Sequence, residues 1–209
     1  MTMTLEIPRK EIFRYLGYHG VEPSPEVSAL VEKCVARLQE ESSPRTVHLF
    51  FPLAFLEKET MQFGGITVKS HSLATNLQGC TEICVLGGTI GPGADLMIRR
   101  AELRKMSEAL IYQAAASAMV EELVDHLNKQ ICLDAKTRGF LCRPRFSPGF
   151  GDFSLDCQRD ILRLLDAPKR LGVYLLDSLL MTPSKSVTAV IGLYPDESET
   201  STVNCRQGT

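Results

Sequence analysis

The sequence predicts an α+β domain over residues 1–194, built on a mostly antiparallel, twisted sheet with flanking helices. A chain of 209 residues that is 44% hydrophobic and 23% charged has the composition of a soluble globular protein and can bury one sizeable core. Its elements follow the order helices, strands, helices, strands without regular βαβ alternation, which favours an antiparallel sheet. Residues 195–209 are polar and rich in serine and threonine, so we expect a disordered tail.

The first 45 residues are predicted to form a helical segment, and residues 46–194 to form the sheet and a ligand site. Apolar residues at helical spacing predict a helix over residues 7–18. A second helix is expected next, with Ser24 or Ser28 as its cap and Pro25 in its first turn. The apolar stripe of this second helix comprises Val27, Leu30, Val31, Cys34, Val35 and Leu38.

Three strands are predicted in the next part of the chain. β-Branched and aromatic residues are concentrated over residues 46–51, 66–69 and 81–86, as is typical of strands. A short helix is expected to begin at Ser70 or Ser72 and to end at Gly79.

A glycine-rich segment, residues 87–95, connects the third of these strands to a long helical region. Such a turn can bind phosphate, but it lacks the G-x-G-x-x-G spacing of dinucleotide sites and the lysine of a P-loop. Tight packing of the backbone is the alternative explanation of these glycines.

Residues 94–130 are predicted to form two helices that meet near residues 105–107, with Ser107 capping the second. One face of the second helix carries small side chains around Ala118 and then carboxylates that begin at Glu121. This face could receive an amine or a sulfonium ion beside Ala118 and Glu121, or its polar half could simply face water. The residues of this face are Ile111, Ala114, Ala118, Glu121, Glu122 and Asp125.

The C-terminal part is predicted to contain a strand over residues 140–146 and then a helix capped by Ser154. Two apolar runs, residues 173–181 and 187–194, are predicted to pair as an antiparallel hairpin.

The turn Arg145–Asp152 (RFSPGFGD) carries the clearest ligand-binding chemistry. Arg145 offers a planar cation suited to a carboxylate or phosphate, and Phe150 offers a flat apolar wall. Gly149 permits the backbone between Ser147 and residue 151 to approach a ligand closely. The alternative is an ordinary surface turn with a salt bridge.

Several classes of function are not favoured. A net charge of −2 without a long run of lysine or arginine gives no reason to expect nucleic acid as a partner. The N-terminus has no apolar core of a signal peptide, and no apolar run reaches the ~18 residues of a membrane span, so we expect a cytoplasmic protein.

No catalytic or metal-ligating residues are predicted, because the sequence shows no Ser/His/Asp arrangement and no metal-binding spacing. His71 is expected to be a capping or surface residue. The seven cysteines contain no C-x-x-C and are expected to be free thiols, with Cys205 exposed.

Residues 87–127 and 145–193 resemble the activation domain of cobalamin-dependent methionine synthase, which binds S-adenosylmethionine. These segments lie in the family's order, and the resemblance covers about residues 80–194. The family motif Arg-x-x-x-Gly-Tyr falls on Arg145, Gly149 and Phe150. Ser-Pro-Gly is followed by a short acidic helix and by the Ser-Val-Thr hairpin, and these features make the resemblance more specific than the six-residue motif.

The resemblance implies a site and a role. Arg145 would hold the methionine carboxylate, the backbone around Ser147 and Phe150 would receive the adenosine, and Glu121 beside Ala118 would contact the amine. The domain would present S-adenosylmethionine to cobalamin on a partner protein, with a flavodoxin- or ferredoxin-type electron donor. The methyl-transfer chemistry would belong to the cofactors.

The sequence departs from the family at Phe150, where the motif has tyrosine and its hydroxyl. It also lacks a match for an N-terminal aspartate of the family, and it has no Asp-x-His-x-x-Gly cobalamin motif, so it resembles a stand-alone bacterial form that meets its cobalamin-binding partner in trans. Two other readings stay open: an interaction module that docks on a corrinoid protein without a nucleotide, and a reactivator of another corrinoid methyltransferase.

Overall fold

The computed structural model describes residues 5–197, which form helices and antiparallel sheets. The helices are α1 (Arg9–Tyr15), α2 (Pro25–Glu41), α3 (His71–Asn76), α4 (Gly93–Glu102), α5 (Met106–Thr137), α6 (Cys157–Leu164) and α7 (Ala167–Arg170). The strands are β1 (Arg45–Pro52), β2 (Ala54–Glu57), β3 (Thr60–Phe63), β4 (Ile66–Lys69), β5 (Glu82–Thr89), β6 (Phe140–Cys142), β7 (Tyr174–Leu175), β8 (Met181–Thr182) and β9 (Ser186–Pro195). The predicted α+β class is confirmed.

The main sheet has the strand order β1-β5-β9-β6, and β6 pairs with β9 in antiparallel register. Strands β2, β3 and β4 form a separate antiparallel meander, and β7 pairs with β8. Strand β9 is buried along almost its whole length. Its two edges pair with the neighbouring strands β5 and β6 of the main sheet.

The chain divides into two compact units. The first unit comprises the residues up to Val47, Gly87–His126 and Asp166–Val187. The second unit comprises His48–Leu86, Leu127–Leu165 and the residues from Thr188.

The first unit has a helical core. Ile12 of α1, Val35 of α2 and Ala116 of α5 are fully buried in one hydrophobic cluster. Of the two predicted caps, Ser24 is the one that caps α2, since its hydroxyl accepts a hydrogen bond from the Val27 amide at 3.3 Å. The apolar stripe of α2 therefore faces this core.

The β3–β4 hairpin of the second unit is a feature that the sequence analysis missed, although its signal is strong. Buried Met61 and Phe63 flank exposed Gln62 before Gly64 and Gly65, and buried Ile66 follows directly after them. Both glycines have positive φ, as a two-residue hairpin turn requires.

The predicted hairpin of residues 173–181 and 187–194 is wrong. The first run forms only the short strand β7, which turns back onto β8 with Leu179 at a φ of 65°. The second run forms β9, whose neighbours are β5 and β6. Apolar composition identified the run that becomes β9, but it did not identify the strands that satisfy its backbone hydrogen bonds.

Two predicted helix caps are also wrong. Ser107 lies inside α5, because that helix begins at Met106. Helix α6 begins only at Cys157, and the Ser154 hydroxyl instead accepts a hydrogen bond from the Asp156 amide at 3.2 Å in the preceding turn. Ser154 lies three residues before the start of α6, so its hydroxyl stabilises the turn before the helix and does not cap the helix itself.

Close packing explains the glycine-rich segment between β5 and α4, as one of the two interpretations predicted. A Cβ atom at Gly91 would lie 2.2 Å from the Ser43 Oγ, and one at Gly93 would lie 2.0 Å from the Glu41 carbonyl oxygen. The C-terminal end of α2 therefore packs directly on the start of α4.

We expect Gly93→Ala to lower the free energy of unfolding by about 1–3 kcal/mol, because the added methyl group overlaps the Glu41 carbonyl and the backbone must move. Urea denaturation measures this change. Leu96→Ala, at a 51% exposed position of the same helix, is the control and should change stability by less than about 0.5 kcal/mol. A Gly93→Ala protein as stable as the wild type would contradict the packing explanation.

Candidate functional site

The loop Arg145–Asp152 belongs to the second unit and is held in shape by its own backbone. The Gly149 amide donates to the Phe153 carbonyl at 2.7 Å, and the Phe153 amide donates to the Phe150 carbonyl at 3.0 Å. The Phe150 amide in turn donates to the Ser147 carbonyl at 3.2 Å. These bonds require Gly149 at a φ of 92°, a conformation that glycine adopts without strain.

Asp152 fastens the end of this loop to α3. Its carboxylate accepts hydrogen bonds from the Ser70 hydroxyl at 2.7 Å, from the His71 amide at 2.7 Å and from the Ser72 amide at 2.9 Å. The Ser70 hydroxyl, followed by the two amides, holds the pKa of Asp152 well below its ordinary value. The sequence predicts a cap near Ser70, but it carries no local signal for a partner 82 residues away.

Gly151 permits this attachment. A Cβ atom at this position would lie 2.5 Å from the Ser72 Oγ, and Gly151 has a φ of 56°. The two glycines of the loop therefore have separate tasks, since Gly149 closes the turn and Gly151 allows close contact with α3.

Phe150 presents its ring to solvent. The residue is 66% exposed, although its centroid lies 6.5 Å from that of Phe146 in an edge-on contact. Phe146 stacks on Phe153, which is 1% exposed. Phe146 and Phe153 therefore support the exposed ring of Phe150 from below. Because this contact restricts the ring, a flat ligand can pack against its face with little further loss of side-chain entropy.

Arg145 is half-buried and lies between two anchored residues. The Pro144 carbonyl accepts a hydrogen bond from the Asn76 side chain at 3.2 Å. Phe146 exchanges two backbone hydrogen bonds, each of 2.8 Å, with Val190 of β9. The predicted strand of residues 140–146 is shorter than expected, since β6 ends at Cys142. An isolated antiparallel bridge between Phe146 and Val190 keeps residue 146 next to β9.

Ala118 and Glu121 lie on the part of α5 that belongs to the first unit. Ala118 is 3% exposed and Glu121 is half-buried. They border a cleft of about 220 Å³ that α1 closes on its other side, where Arg14 forms an ion pair with Glu11. The small side chain of Ala118 is therefore next to α1, and carboxylates dominate the cleft.

The predicted site residues thus fall into two groups. Arg145, Ser147, Gly149 and Phe150 belong to one short loop of the second unit. Glu121 and Ala118 belong to the first unit, and their role toward the same ligand stays a prediction.

His71 is an exposed residue at the start of α3, and its Nδ1 lies 2.9 Å from Glu59 Oε1. Burial raises the pKa of the Cys84 thiol to about 12, which favours an unreactive thiol. Among residues 5–197, no group of three His, Cys, Asp or Glu side chains is placed to hold a metal ion. Cys205 and most of the predicted tail lie outside the described residues.

The fold is similar to that of the MetH reactivation domain. A crystal structure of that domain bound to AdoHcy matches this chain with a TM-score of 0.64 and 15% sequence identity, over 88% of this chain and 73% of the other. No protein-family model matches the sequence, and neither does any curated protein. The likeness confirms the fold that the resemblance of residues 87–127 and 145–193 implies.

Over the described part of the chain, no helix combines the length and the apolar character that crossing a bilayer needs.

We expect Asp152→Asn to reduce stability at neutral pH and to remove part of its pH dependence. Because folding lowers the pKa of Asp152, its contribution is complete above the ordinary value of 3.8 and is lost as the pH falls through the lower folded value. The difference between wild type and Asp152→Asn in urea denaturation should therefore shrink between about pH 5 and pH 2.

Asp177→Asn, which removes another exposed carboxylate of the chain, is the matched control. A difference between wild type and Asp152→Asn that stays constant across this pH range would show that the carboxylate does not stabilise the loop.

Proposed function

We propose that this chain binds S-adenosylmethionine through the loop Arg145–Asp152 and acts as a reactivation subunit for a cobalamin-dependent methionine synthase. The observation that supports it most is the exposed Phe150 ring next to half-buried Arg145, on a loop fastened to α3 by Asp152. This loop occurs in a fold similar to one that was crystallised with AdoHcy. We also propose that residues 1–194 function as one domain.

Arg145 binds the carboxylate of the methionine moiety. A guanidinium ion presents two parallel N–H donors to a carboxylate, and charge-assisted bonds of this kind are stronger than neutral ones. Half-burial reduces the competition from water, and the anchored neighbours Pro144 and Phe146 limit the positions of the side chain.

Phe150 packs against the adenine ring. Stacking needs only an accessible aromatic face, which this residue has without any change of the loop. The Ser147 carbonyl accepts a hydrogen bond from the Phe150 amide within the turn, and its second lone pair can accept another from a ligand. Gly149, which is exposed, leaves space beside the ring.

Glu121 binds the amine of the methionine moiety. Its carboxylate borders the α1–α5 cleft in which acidic side chains outnumber the basic ones, and such a cleft favours a cation. Buried Ala118 leaves room beside it because its side chain is a single methyl group.

The chemistry itself belongs to the bound molecules. S-adenosylmethionine supplies the methyl group, and a one-electron donor of the flavodoxin or ferredoxin type supplies the electron that cobalamin on the partner protein needs to accept it. The residues of this chain bind and orient the methyl donor, which brings its methyl group to a defined position.

Arg145→Ala should weaken S-adenosylmethionine binding by about 10- to 150-fold, because a charge-assisted hydrogen bond contributes about 1.5–3 kcal/mol. Isothermal titration calorimetry measures the change. Arg159→Ala, at an exposed position of α6, is the control and should leave affinity unchanged. Glu121→Gln tests the amine contact in the same titration. Asp134→Asn is its control, since Asp134 is an exposed carboxylate of the same helix that does not border the cleft.

The absence of binding to the wild-type protein at millimolar ligand would refute the proposed function. The reactivation role is tested separately with a cobalamin-binding methionine synthase fragment, a low-potential reductant and S-adenosylmethionine, by following the absorption spectrum of the cobalamin. Ligand binding without recovery of the methylated spectrum would favour another corrinoid partner. Co-purification with a corrinoid protein without any effect of the ligand would favour the interaction module.

Phe150→Tyr should tighten binding by about 2- to 10-fold, because the added hydroxyl can contribute about 0.5–1.5 kcal/mol. Phe150→Ala should weaken binding by about 1–3 kcal/mol through the loss of stacking. Both variants should unfold within about 0.5 kcal/mol of the wild type, since the ring is 66% exposed. Equal affinity of the alanine variant and the wild type would exclude Phe150 from the site.

A further inference from the structure

The first unit contains a second cleft, formed by α2, α4 and the start of α5, which is larger than the α1–α5 cleft. Its volume is about 530 Å³. Buried Ala101 and Tyr112 form part of its floor, and half-buried Met97 adds apolar surface. A cleft of this size lies in the range of small-molecule sites.

Cationic side chains surround this cleft. Lys33 and Arg37 come from α2, Arg100 from α4, and Arg104 and Lys105 from the connection between α4 and α5. Three carboxylates, those of Glu40, Glu41 and Glu108, also border it. The cleft is therefore positive although the whole chain has a net charge of −2.

Most of these cations lack an ionic partner. Lys105 lies 3.2 Å from Glu108 and forms an ion pair with it. Within residues 5–197, Lys33, Arg37, Arg100 and Arg104 form no ion pair with a carboxylate. The carboxylates of Glu40 and Glu41 offset part of this positive charge, and the remaining excess of two cations favours an anion in the cleft.

The cleft has fixed walls. The contact of Gly93 with the Glu41 carbonyl sets the approach of α4 to α2 at one end. On the floor, Ala101 and Tyr112 are buried, with exposures of 7% and 4%. The floor and the α2–α4 contact therefore belong to the packed core, so the cleft is formed before a ligand binds, and this lowers the entropic cost of binding.

We propose that this cleft binds a small organic phosphate with at least two phosphate groups, such as a nucleoside diphosphate or triphosphate. One phosphate monoester carries a charge of about −1.5 to −2 at neutral pH, which balances the excess of two cations around the cleft. The four cations without a carboxylate partner come from both walls, so they can contact more than one phosphate group. Arginine supplies the planar donors that phosphate oxygens prefer, and the surface of Met97 and Ala101 can contact the organic part.

The test is isothermal titration calorimetry of the full chain with ATP, inorganic pyrophosphate and AMP at low salt. We expect ATP and pyrophosphate to bind and AMP to bind at least about tenfold more weakly, because fewer charges are paired. Arg100→Gln combined with Arg104→Gln should weaken ATP binding by about tenfold or more.

Arg99→Gln is the matched control, since Arg99 is exposed on the same helix but does not border the cleft. We expect it to change the affinity for ATP by less than about threefold. Equal weakening by Arg99→Gln would mean that ATP responds to general surface charge, and it would overturn the proposal, as would the absence of ATP and pyrophosphate binding.

Circular dichroism establishes that each variant is folded. Should the double variant unfold, Lys33→Gln, which replaces an exposed residue of α2, provides the same comparison from the opposite wall. A loss of ATP affinity in Lys33→Gln would support the site, and an unchanged affinity would overturn it.

Discussion

The candidate ligand loop depends on one carboxylate, that of Asp152. This side chain accepts three hydrogen bonds from residues 70–72 and joins the loop to the start of α3. A carboxylate that accepts several donors keeps its charge over a wide pH range, so the attachment persists under all ordinary conditions. With one end held by Asp152 and the other by the bridge of Phe146 to β9, the residues between them have few positions available.

This arrangement separates the groups that hold the loop from the groups that can meet a ligand. Backbone hydrogen bonds and Gly151 determine the course of the chain, whereas the ring of Phe150 points outward and contributes little to burial. A substitution of Phe150 can therefore alter a binding surface without altering the fold. Phenylalanine at this position suits this arrangement, because the backbone that positions the ring requires no hydroxyl.

The first unit combines two clefts of opposite charge along α5. Carboxylates that include Glu121 border the cleft beside α1, and cations that include Arg37 and Arg100 border the cleft beside α2 and α4. The long helix separates these charges because residues on its different faces reach different neighbours. One structural element can thereby serve a cationic group and an anionic group without neutralising either one.

The sequence by itself determined the α+β class, the helices of the first 45 residues and the turn over residues 145–152. These features rest on local spacing and on residue type, which act over a few positions. Only the tertiary structure decided the partners of β9 and the attachment of Asp152 to Ser70, because their partners are distant in sequence and leave no periodic signal. The same reason explains the charged cleft of the first unit, since Lys33 and Arg104 become neighbours of one cavity only when α2 and α4 pack at Gly93.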